Sequence, residues 1–483
     1  MTALANLEPK LLWQHFDEIR KIPHGSGDEK AIGQYVVLVA QRLGLRYVRE
    51  KNGNVIIYKP ASGGRENAPT VVLQGHLDMV CEKHSAKAFD FTRDPITLKM
   101  DNEWLTADGT TLGSDNGVGV AAALAILEDS SLQHGPLEAL FTVDEERGLH
   151  GARTISPKAL KGRIMLNLDS EELGVFSIGC AGGADSTISL PIRRRRAKGT
   201  ALIEIHLSGL RGGHSGIDIH EGRGNAIKIL NRLLWQMSKK IPFELVSFKG
   251  GDKHNAIPRE IIAQIVVAKS KVAAVGKWMS GMLPDLQLEF KPVEHDITLS
   301  VTVIDKKAPA VMNQVDQEKL LGLIFALPHG PLAMSRSIKD LVETSNNLAS
   351  IKCEKSRALI VCSSRSSNKF ALQATRDKLA AIAKMAGAKL QQPEGYPGWM
   401  PNLESPILKV TMDTFRTITG KNAHFQAIHA GLECGIIGEK FPGMDMISIG
   451  PTIKYPHSPD ERVHIGSVAL FYRHLLKILE TIS

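Results

Sequence analysis

Short apolar segments bounded by polar residues occur in residues 1–188 and return in residues 398–483. Runs of this kind are typical of buried parallel strands, and between them lie segments with the composition of helices. The strand segments include Val71–Leu73, Leu140–Val143 and Ile164–Leu166, and the helical segments include Gly117–Leu127, Leu403–Thr419 and Ile465–Ile482. Because alternating strands and helices build layered α/β folds, we expect these two parts to form one α/β domain with a mostly parallel central sheet.

Residues 189–397 differ in pattern from the chain on either side of them. Ala201–Leu207 and Ile261–Val267 partly alternate apolar with polar residues, which favours strands of a half-exposed sheet. Ala371–Ala386 has the spacing of an amphipathic helix that would cover such a sheet. A segment of this length is well within the size of one domain. We therefore predict that an inserted α+β domain at 189–397 interrupts the α/β domain.

Composition and charge favour a cytoplasmic protein that binds neither membranes nor nucleic acids. No apolar run approaches the ~20 residues of a membrane span, and charged residues at Glu8 and Lys10 argue against a secretory signal. Five dispersed cysteines suit reduced thiols rather than a disulfide framework. Much of the net charge of +8 lies in one run, Arg193–Arg196, without the aromatic residues that would stack on bases.

Five short segments combine acidic residues and histidines next to predicted strands or helices. They are His76-Leu77-Asp78, Gly113–Gly117 with Asp115, Asp144-Glu145-Glu146, Asn167-Leu168-Asp169, and the proline-flanked His457. Each has an ordinary structural explanation by itself: a helix cap at Ser114 or Asp115, for example, or a solvated acidic loop. Four of them, however, follow strands or open a helix of one α/β block, where the carboxyl ends of parallel strands collect ligand sites.

The residue types in these segments suit a pair of divalent metal ions. Imidazoles and carboxylates are ligands for zinc, and also for cobalt or manganese. We expect His76, Asp115 and Asp169 to hold one ion, and Asp115, Glu146 and His457 to hold the other. Two divalent ions bring four positive charges, three carboxylates remove three, and a bridging hydroxide would neutralise the last.

Glu145 is left without an ion in this assignment. It lies next to Glu146 in the chain, so its carboxylate would stand close to the bridging hydroxide. A carboxylate in that position can accept a proton from the attacking water and pass it to the leaving amine. Glu145 is therefore the predicted general base of a hydrolase.

These motifs resemble those of the co-catalytic zinc peptidases, the family of carnosinases, aminoacylases and carboxypeptidase G2-like enzymes. The resemblance covers essentially the whole chain and is strongest to the bacterial aminoacyl-histidine dipeptidases, or cytosol non-specific dipeptidases. Three further stretches support this closer resemblance: Gly209–Ile219, His254–Pro258 and His429–Gly435. It implies a di-metal dipeptidase that hydrolyses unblocked dipeptides, including Xaa-His and β-alanyl-histidine, and an insertion that acts as a lid or dimerisation domain.

The resemblance also implies roles for further residues. Asp78 would orient His76, and His214 in Gly212-Gly213-His214 would stabilise the oxyanion, from its own chain or from the partner in a homodimer. Asn255 and Arg365 would hold the substrate, with the guanidinium gripping the dipeptide carboxylate.

Two other functions remain open from the sequence. An aminoacylase or carboxypeptidase-like amidohydrolase would use the same metal centre, because specificity lies in the shape of the pocket. A catalytically silent binding protein would have lost the base or a ligand, and the chain retains all of them.

Overall fold

The computed structural model describes residues 4–482, and the chain forms two compact units. The first unit comprises the described residues up to Cys180, the segment Trp399–Ala427 and the described residues from Leu432 onward. The second comprises Ala181–Gly398 and the short segment Ile428–Gly431. The second unit therefore interrupts the first twice.

The strands and helices are numbered in chain order. The strands are β1 (Arg46–Arg49), β2 (Val55–Lys59), β3 (Val71–His76), β4 (Leu98–Asp101), β5 (Trp104–Ala107), β6 (Leu137–Thr142), β7 (Ile164–Asn167), β8 (Val175–Cys180), β9 (Gly182–Pro191), β10 (Arg194–Arg195), β11 (Ala201–Ser208), β12 (Gly213–His214), β13 (Glu244–Gly250), β14 (Ala256–Ile257), β15 (Ile261–Val267), β16 (Thr298–Ile304), β17 (Val311–Met312), β18 (Gly330–Met334), β19 (Val342–Cys353), β20 (Arg357–Ser366), β21 (Lys389–Gln391), β22 (His424–Ile428), β23 (Asp445–Ser448), β24 (Ile453–Lys454) and β25 (Arg462–His464). The helices are α1 (Lys10–Ile19), α2 (Lys30–Arg42), α3 (Ser114–Glu128), α4 (His150–Thr154), α5 (Ala226–Ser238), α6 (Val272–Phe290), α7 (Gln314–Ala326), α8 (Lys369–Ala386), α9 (Pro406–Thr419), α10 (Glu433–Lys440) and α11 (Ile465–Ile482).

The first unit is built on an eight-stranded sheet with the order β1-β2-β6-β3-β7-β23-β8-β22. Its four central strands, β6, β3, β7 and β23, are parallel, and antiparallel strands flank them. Val72, Leu140 and Met165 lie on three neighbouring central strands and are 0% exposed. Burial on both faces explains why these strands are nearly continuous apolar runs in the sequence.

Helix α3 contains the alanine-rich segment and is buried along almost its whole length. It contacts α1 and β3, where its small side chains allow close packing. A separate four-stranded sheet, with the order β24-β25-β5-β4, completes the strand pairings of this unit among the described residues.

The second unit contains a nine-stranded antiparallel sheet. Eight of its strands follow the order β16-β11-β15-β13-β19-β20-β9-β21, and β18 pairs with β19. Helices α5 to α8 each contact the sheet. The core includes Ile203, Leu230, Ile324 and Leu348, all 0% exposed. An α/β unit with a central parallel region, interrupted by an α+β unit, confirms the predicted fold class.

The arginine run that dominates the net charge has partners within the second unit. Arg193 and Arg195 form ion pairs with Asp316 and Glu244, at 3.0 and 2.6 Å. The Arg194 guanidinium donates hydrogen bonds to backbone carbonyl groups. Three of these four cations thus join segments of the unit. Among residues 4–482, no helix combines the length and apolar character that crossing a membrane requires.

Candidate metal centre

Three strands of the first unit deliver acidic residues and a histidine to the same edge of the sheet. His76 is the last residue of β3, Glu145 and Glu146 follow β6, and Asp169 follows β7. Because β6, β3 and β7 are adjacent and parallel, their carboxyl ends lie side by side. Topology alone therefore gathers side chains that are far apart in the sequence.

Two loops of the same unit add Asp115 and His457. Asp115 lies at the start of α3, where its backbone angles are not helical. His457 lies between β24 and β25 with a φ of +59°, a left-handed conformation that is uncommon for a residue with a side chain. Such conformations persist where the surrounding structure fixes them, and they occur often at functional sites.

These residues form two groups that share Asp115. The Nε2 atom of His76 lies 3.1 Å from Oδ1 of Asp115 and 3.4 Å from Oδ1 of Asp169. The Nε2 atom of His457 lies 3.1 Å from Oδ2 of Asp115 and 3.0 Å from Oε1 of Glu146. Within each group the potential ligand atoms all lie within 4.8 Å of one another. One oxygen of Asp115 thus faces each group, the arrangement that a bridging carboxylate requires.

The hydrogen bonds of His76 favour a cation in the first group. Its Nδ1 atom lies 3.0 Å from the backbone oxygen of Asp78 and can only donate to it. In the neutral ring, the Nε2 lone pair then faces two carboxylate oxygens, an unfavourable contact that a proton on Nε2 or a cation relieves. Burial lowers the pKa of His76, but the carboxylates of Asp169 and Asp115 raise it well above its ordinary value. Among residues 4–482, no hydrogen-bond donor contacts the buried Oδ1 of Asp169. The donor set and its geometry therefore fit a divalent cation.

The pKa shifts indicate that the pocket is strongly negative. Hydrogen bonds to Asp115 and Glu146 raise the pKa of His457 to about 11. Burial raises the pKa of Asp169 to about 6, and the neighbouring carboxylates Asp115 and Glu146 contribute to the rise. A cation would compensate the negative charge of the carboxylates that contributes to both shifts.

Asp78 connects His76 to the acidic loop. Its carboxylate accepts hydrogen bonds from the backbone N–H groups of Glu145 and Glu146, at 3.0 and 3.2 Å, and from the Ser26 hydroxyl at 2.8 Å. The backbone oxygen of Asp78 thus contacts His76, and its side chain contacts the backbone of Glu145 and Glu146.

Glu145 lies with His76 and Glu146 in a third group of closely spaced ligand atoms. Burial raises the pKa of Glu145 well above its ordinary value, and the negative charges of Asp169, Glu433 and Glu146 add to the rise. A carboxylate with this pKa binds protons more readily near neutral pH, as a general base needs to do.

His214 and Arg365 lie together in the second unit. The backbone N–H groups of Gly216 and Ile217 donate to Nδ1 of His214, so the proton of the neutral ring is on Nε2. Burial, with a contribution from Arg365, lowers the pKa of His214 to about 4. Left-handed backbone at Gly212 and Gly213, with φ of +66° and +145°, explains the glycine pair that precedes this histidine.

The Arg365 guanidinium is buried, and its Nε atom has no acceptor among the described residues. Its Nη1 atom donates to the Tyr396 hydroxyl at 3.0 Å. Asn255 lies in the same region, where its backbone oxygen accepts from the Ser215 N–H, but Asn255 itself is exposed. A buried guanidinium with an unused donor is suited to binding an anion.

Comparison with known proteins identifies the family. Residues 72–481 match the family model described as peptidase family M20/M25/M40. This chain belongs to that family.

Two relatives are similar to this M20 peptidase over their whole length. It is 41% identical over 484 residues to the cytosol non-specific dipeptidase of Escherichia coli K12, covering 100% of this chain and 99% of the relative. The crystal structure of aminoacylhistidine dipeptidase from Vibrio alginolyticus has a TM-score of 0.93 at 40% identity, covering 100% and 98% of the two chains. These findings confirm the resemblance inferred from the sequence motifs.

A more distant structure shares only the fold. Aminopeptidase PepT from Bacillus cereus has a TM-score of 0.57 at 14% identity, with 99% of each chain covered.

Sequence reasoning did not single out two residues that support this M20 centre. Ser26 donates to Asp78, and Glu433 accepts from Gln74 and Thr142, each at 2.6 Å. Burial raises the pKa of Glu433 to about 7. Glu433 lies in the stretch His429–Gly435, which pointed to the family but gave no indication of contact with these strands.

We expect Asp78→Asn to weaken divalent-ion binding by about 10- to 100-fold, as the loss of a partner that orients metal ligands typically does. The amide cannot accept from all three donors that now contact the carboxylate. Isothermal titration of EDTA-treated protein with Zn²⁺ would measure the affinity, and Ser26→Ala, which removes one of the three donors, should cause a smaller loss. Unchanged Zn²⁺ affinity in folded Asp78→Asn protein would contradict this role.

Proposed function

We propose that this M20 peptidase is a dipeptidase that hydrolyses unblocked dipeptides, including Xaa-His, with two divalent metal ions. The observation that carries the proposal is the pair of ligand groups that share Asp115. The full-length similarity to a cytosol non-specific dipeptidase and an aminoacylhistidine dipeptidase supports the substrate class.

His76, Asp115 and Asp169 would hold one ion, and Asp115, Glu146 and His457 the other. When bound, two such ions polarise the scissile carbonyl and lower the pKa of water. Two imidazoles and three carboxylates suit zinc, with cobalt and manganese as alternatives. Asp78 would orient His76 through its backbone oxygen.

Glu145 is proposed as the general base. Its carboxylate would take a proton from the attacking water and deliver it to the nitrogen of the leaving amine. The raised pKa, caused chiefly by burial, supports both steps, because the group must bind the proton and release it again near neutral pH.

His214 is proposed to donate from Nε2 to the oxyanion that forms as the carbonyl is attacked. The two N–H groups at its Nδ1 atom support this tautomer. A neutral donor aimed at developing negative charge strengthens as the transition state forms. We propose that Arg365 binds the substrate carboxylate and that Asn255 contributes to substrate binding.

The proposal also includes the oligomeric state of the protein and its location in the cell. The family resemblance suggests a homodimer in which His214 acts on the partner's substrate, and closure of the insertion within one chain is the alternative. A cytoplasmic location agrees with the name of the Escherichia coli relative. No nucleic-acid or membrane partner is proposed.

The substrate class is tested with a panel of small dipeptides and their acetylated forms. After metal is restored, we expect the purified protein to hydrolyse Ala-His and not N-acetyl-His, with released amino acids measured by chromatography. Release of acetate from N-acetyl-His, without dipeptide hydrolysis, would favour the aminoacylase alternative instead.

Glu145→Ala should lower kcat by about 10²- to 10⁴-fold, the usual contribution of general acid–base catalysis. Two ions should still bind, because Glu145 belongs to neither proposed ligand set. Steady-state kinetics with Ala-His, together with metal analysis of the same sample, would measure both effects. Turnover at the wild-type rate would rule out Glu145 as the base.

Arg365→Ala should raise KM for Ala-His more than KM for Ala-His amide, which lacks the carboxylate. Hydrogen bonds to charged groups contribute about 1.5–3 kcal/mol, so an increase of roughly 10- to 100-fold in KM is expected. Arg376→Ala is a suitable control. The Arg376 Nε atom also lacks an acceptor in the described part of the chain, and its Nη2 atom donates to the Gln392 backbone oxygen. Equal changes for both substrates would argue against carboxylate binding.

A further inference from the structure

Glu461 is a buried carboxylate whose role the metal chemistry does not explain. It lies four residues after His457 in the chain and is 2% exposed. No ligand group includes it among the described residues. Its contacts, however, connect the loop that carries His457 with the loop that carries Asp115.

Five hydrogen bonds from residues 112–115 converge on the Glu461 carboxylate. Oε2 accepts from the backbone N–H groups of Leu112 and Gly113, at 2.7 and 3.1 Å. Oε1 accepts from the N–H and the hydroxyl of Ser114, at 2.8 and 2.6 Å, and from the N–H of Asp115 at 3.3 Å. Four consecutive amides therefore turn toward one side chain, which fixes the path of the backbone up to Asp115.

Glu461 also replaces the missing cap of α3. The residue before this helix is Gly113, which has no side chain to accept the first N–H groups. A carboxylate at a helix N-terminus is favourable because it accepts these N–H groups and opposes the positive end of the helix dipole. The cap comes from a residue 346 positions after Asp115 in the chain.

The backbone of Glu461 is itself firmly held. Its carbonyl oxygen accepts from the Thr106 hydroxyl at 2.7 Å, and its N–H donates to the Ser458 carbonyl at 3.1 Å. The next residue, Arg462, begins β25 and pairs with Thr106 on β5. Glu461 thus joins the small sheet to both loops of the centre.

We propose that Glu461 is a positioning residue that fixes Asp115 relative to His457 and thereby sets the affinity of both ion sites. Asp115 offers one oxygen to each ligand group, so a shift of its backbone would disturb both groups together. The inference rests on the proposed function, because it assumes that these groups bind metal ions.

A purely structural role is the competing explanation, and Glu138 provides a matched control. Glu138 is 3% exposed and accepts from the backbone N–H groups of Lys161 and Gly162, at 2.9 and 3.1 Å. It thus resembles Glu461 in burial and in its partners, but it holds a loop without residues of the centre. Glu138→Gln should lower stability and leave ion binding unchanged.

The test compares Glu461→Gln with Glu138→Gln and the wild type. Isothermal titration of EDTA-treated protein with Zn²⁺ measures ion affinity, and thermal unfolding in EDTA measures stability without ions. We expect Glu461→Gln to bind Zn²⁺ about 10- to 100-fold more weakly, because its amide nitrogen cannot accept from the loop. With Ala-His, kcat should fall while KM changes little, since Glu461 contacts no group proposed to hold the substrate.

Each outcome separates the inference from the proposed function. Wild-type affinity in Glu461→Gln, or an equal loss in Glu138→Gln, would overturn the inference while leaving dipeptidase activity of the wild type intact. A wild type that neither binds Zn²⁺ nor hydrolyses dipeptides would overturn the proposed function. If Glu461→Gln does not fold, Ser114→Ala is tested instead, because it removes only the hydrogen bond from the Ser114 hydroxyl to Glu461. A weaker Zn²⁺ affinity of this variant would support the inference. An unchanged Zn²⁺ affinity would refute it.

Discussion

The main physical constraint on the centre of this M20 peptidase is the repulsion among carboxylates that lie at one edge of a parallel sheet. Asp115 lies within a few ångströms of both Glu146 and Asp169, all three are partly buried, and the imidazoles of His76 and His457 face them. Buried carboxylates at such distances are costly unless positive charge lies between them. The fold supplies the positions, and cations would supply the compensation.

Hydrogen bonds to the backbone of the ligand-bearing loops surround these carboxylates. Asp78 accepts the N–H groups of Glu145 and Glu146, and Glu461 accepts those that lead to Asp115. Both carboxylates accept hydrogen bonds from the backbone of loops. Because backbone amides cannot rotate independently of the chain, contacts of this kind fix the ligands more firmly than contacts to flexible side chains.

The second unit presents a different chemistry from the first. Its cluster around His214 and Arg365 combines a buried guanidinium with an imidazole whose pKa burial lowers to about 4. Such groups suit the negative parts of a dipeptide, its carboxylate and its developing oxyanion, whereas the first unit suits positive ions.

The sequence by itself determined the secondary structure around the centre and the family. Short apolar runs predicted three of the four central strands, β3, β6 and β7, because burial on both faces favours apolar residues. The final helix was predicted at Ile465–Ile482 and has those bounds. The five acidic and histidine segments could also be chosen from the sequence, since four of them follow predicted strands or open a predicted helix, and the fifth, with His457, lies in a proline-flanked loop.

Only the tertiary structure decided which atoms face one another. That the backbone oxygen of Asp78 holds His76, that Glu461 caps α3 and that Ile428–Gly431 joins the second unit all depend on contacts between distant parts of the chain. Local patterns specify strands and helices through burial and backbone preference, but they carry no information about hydrogen bonds across hundreds of residues. Those bonds form only when the sheet has brought the loops together.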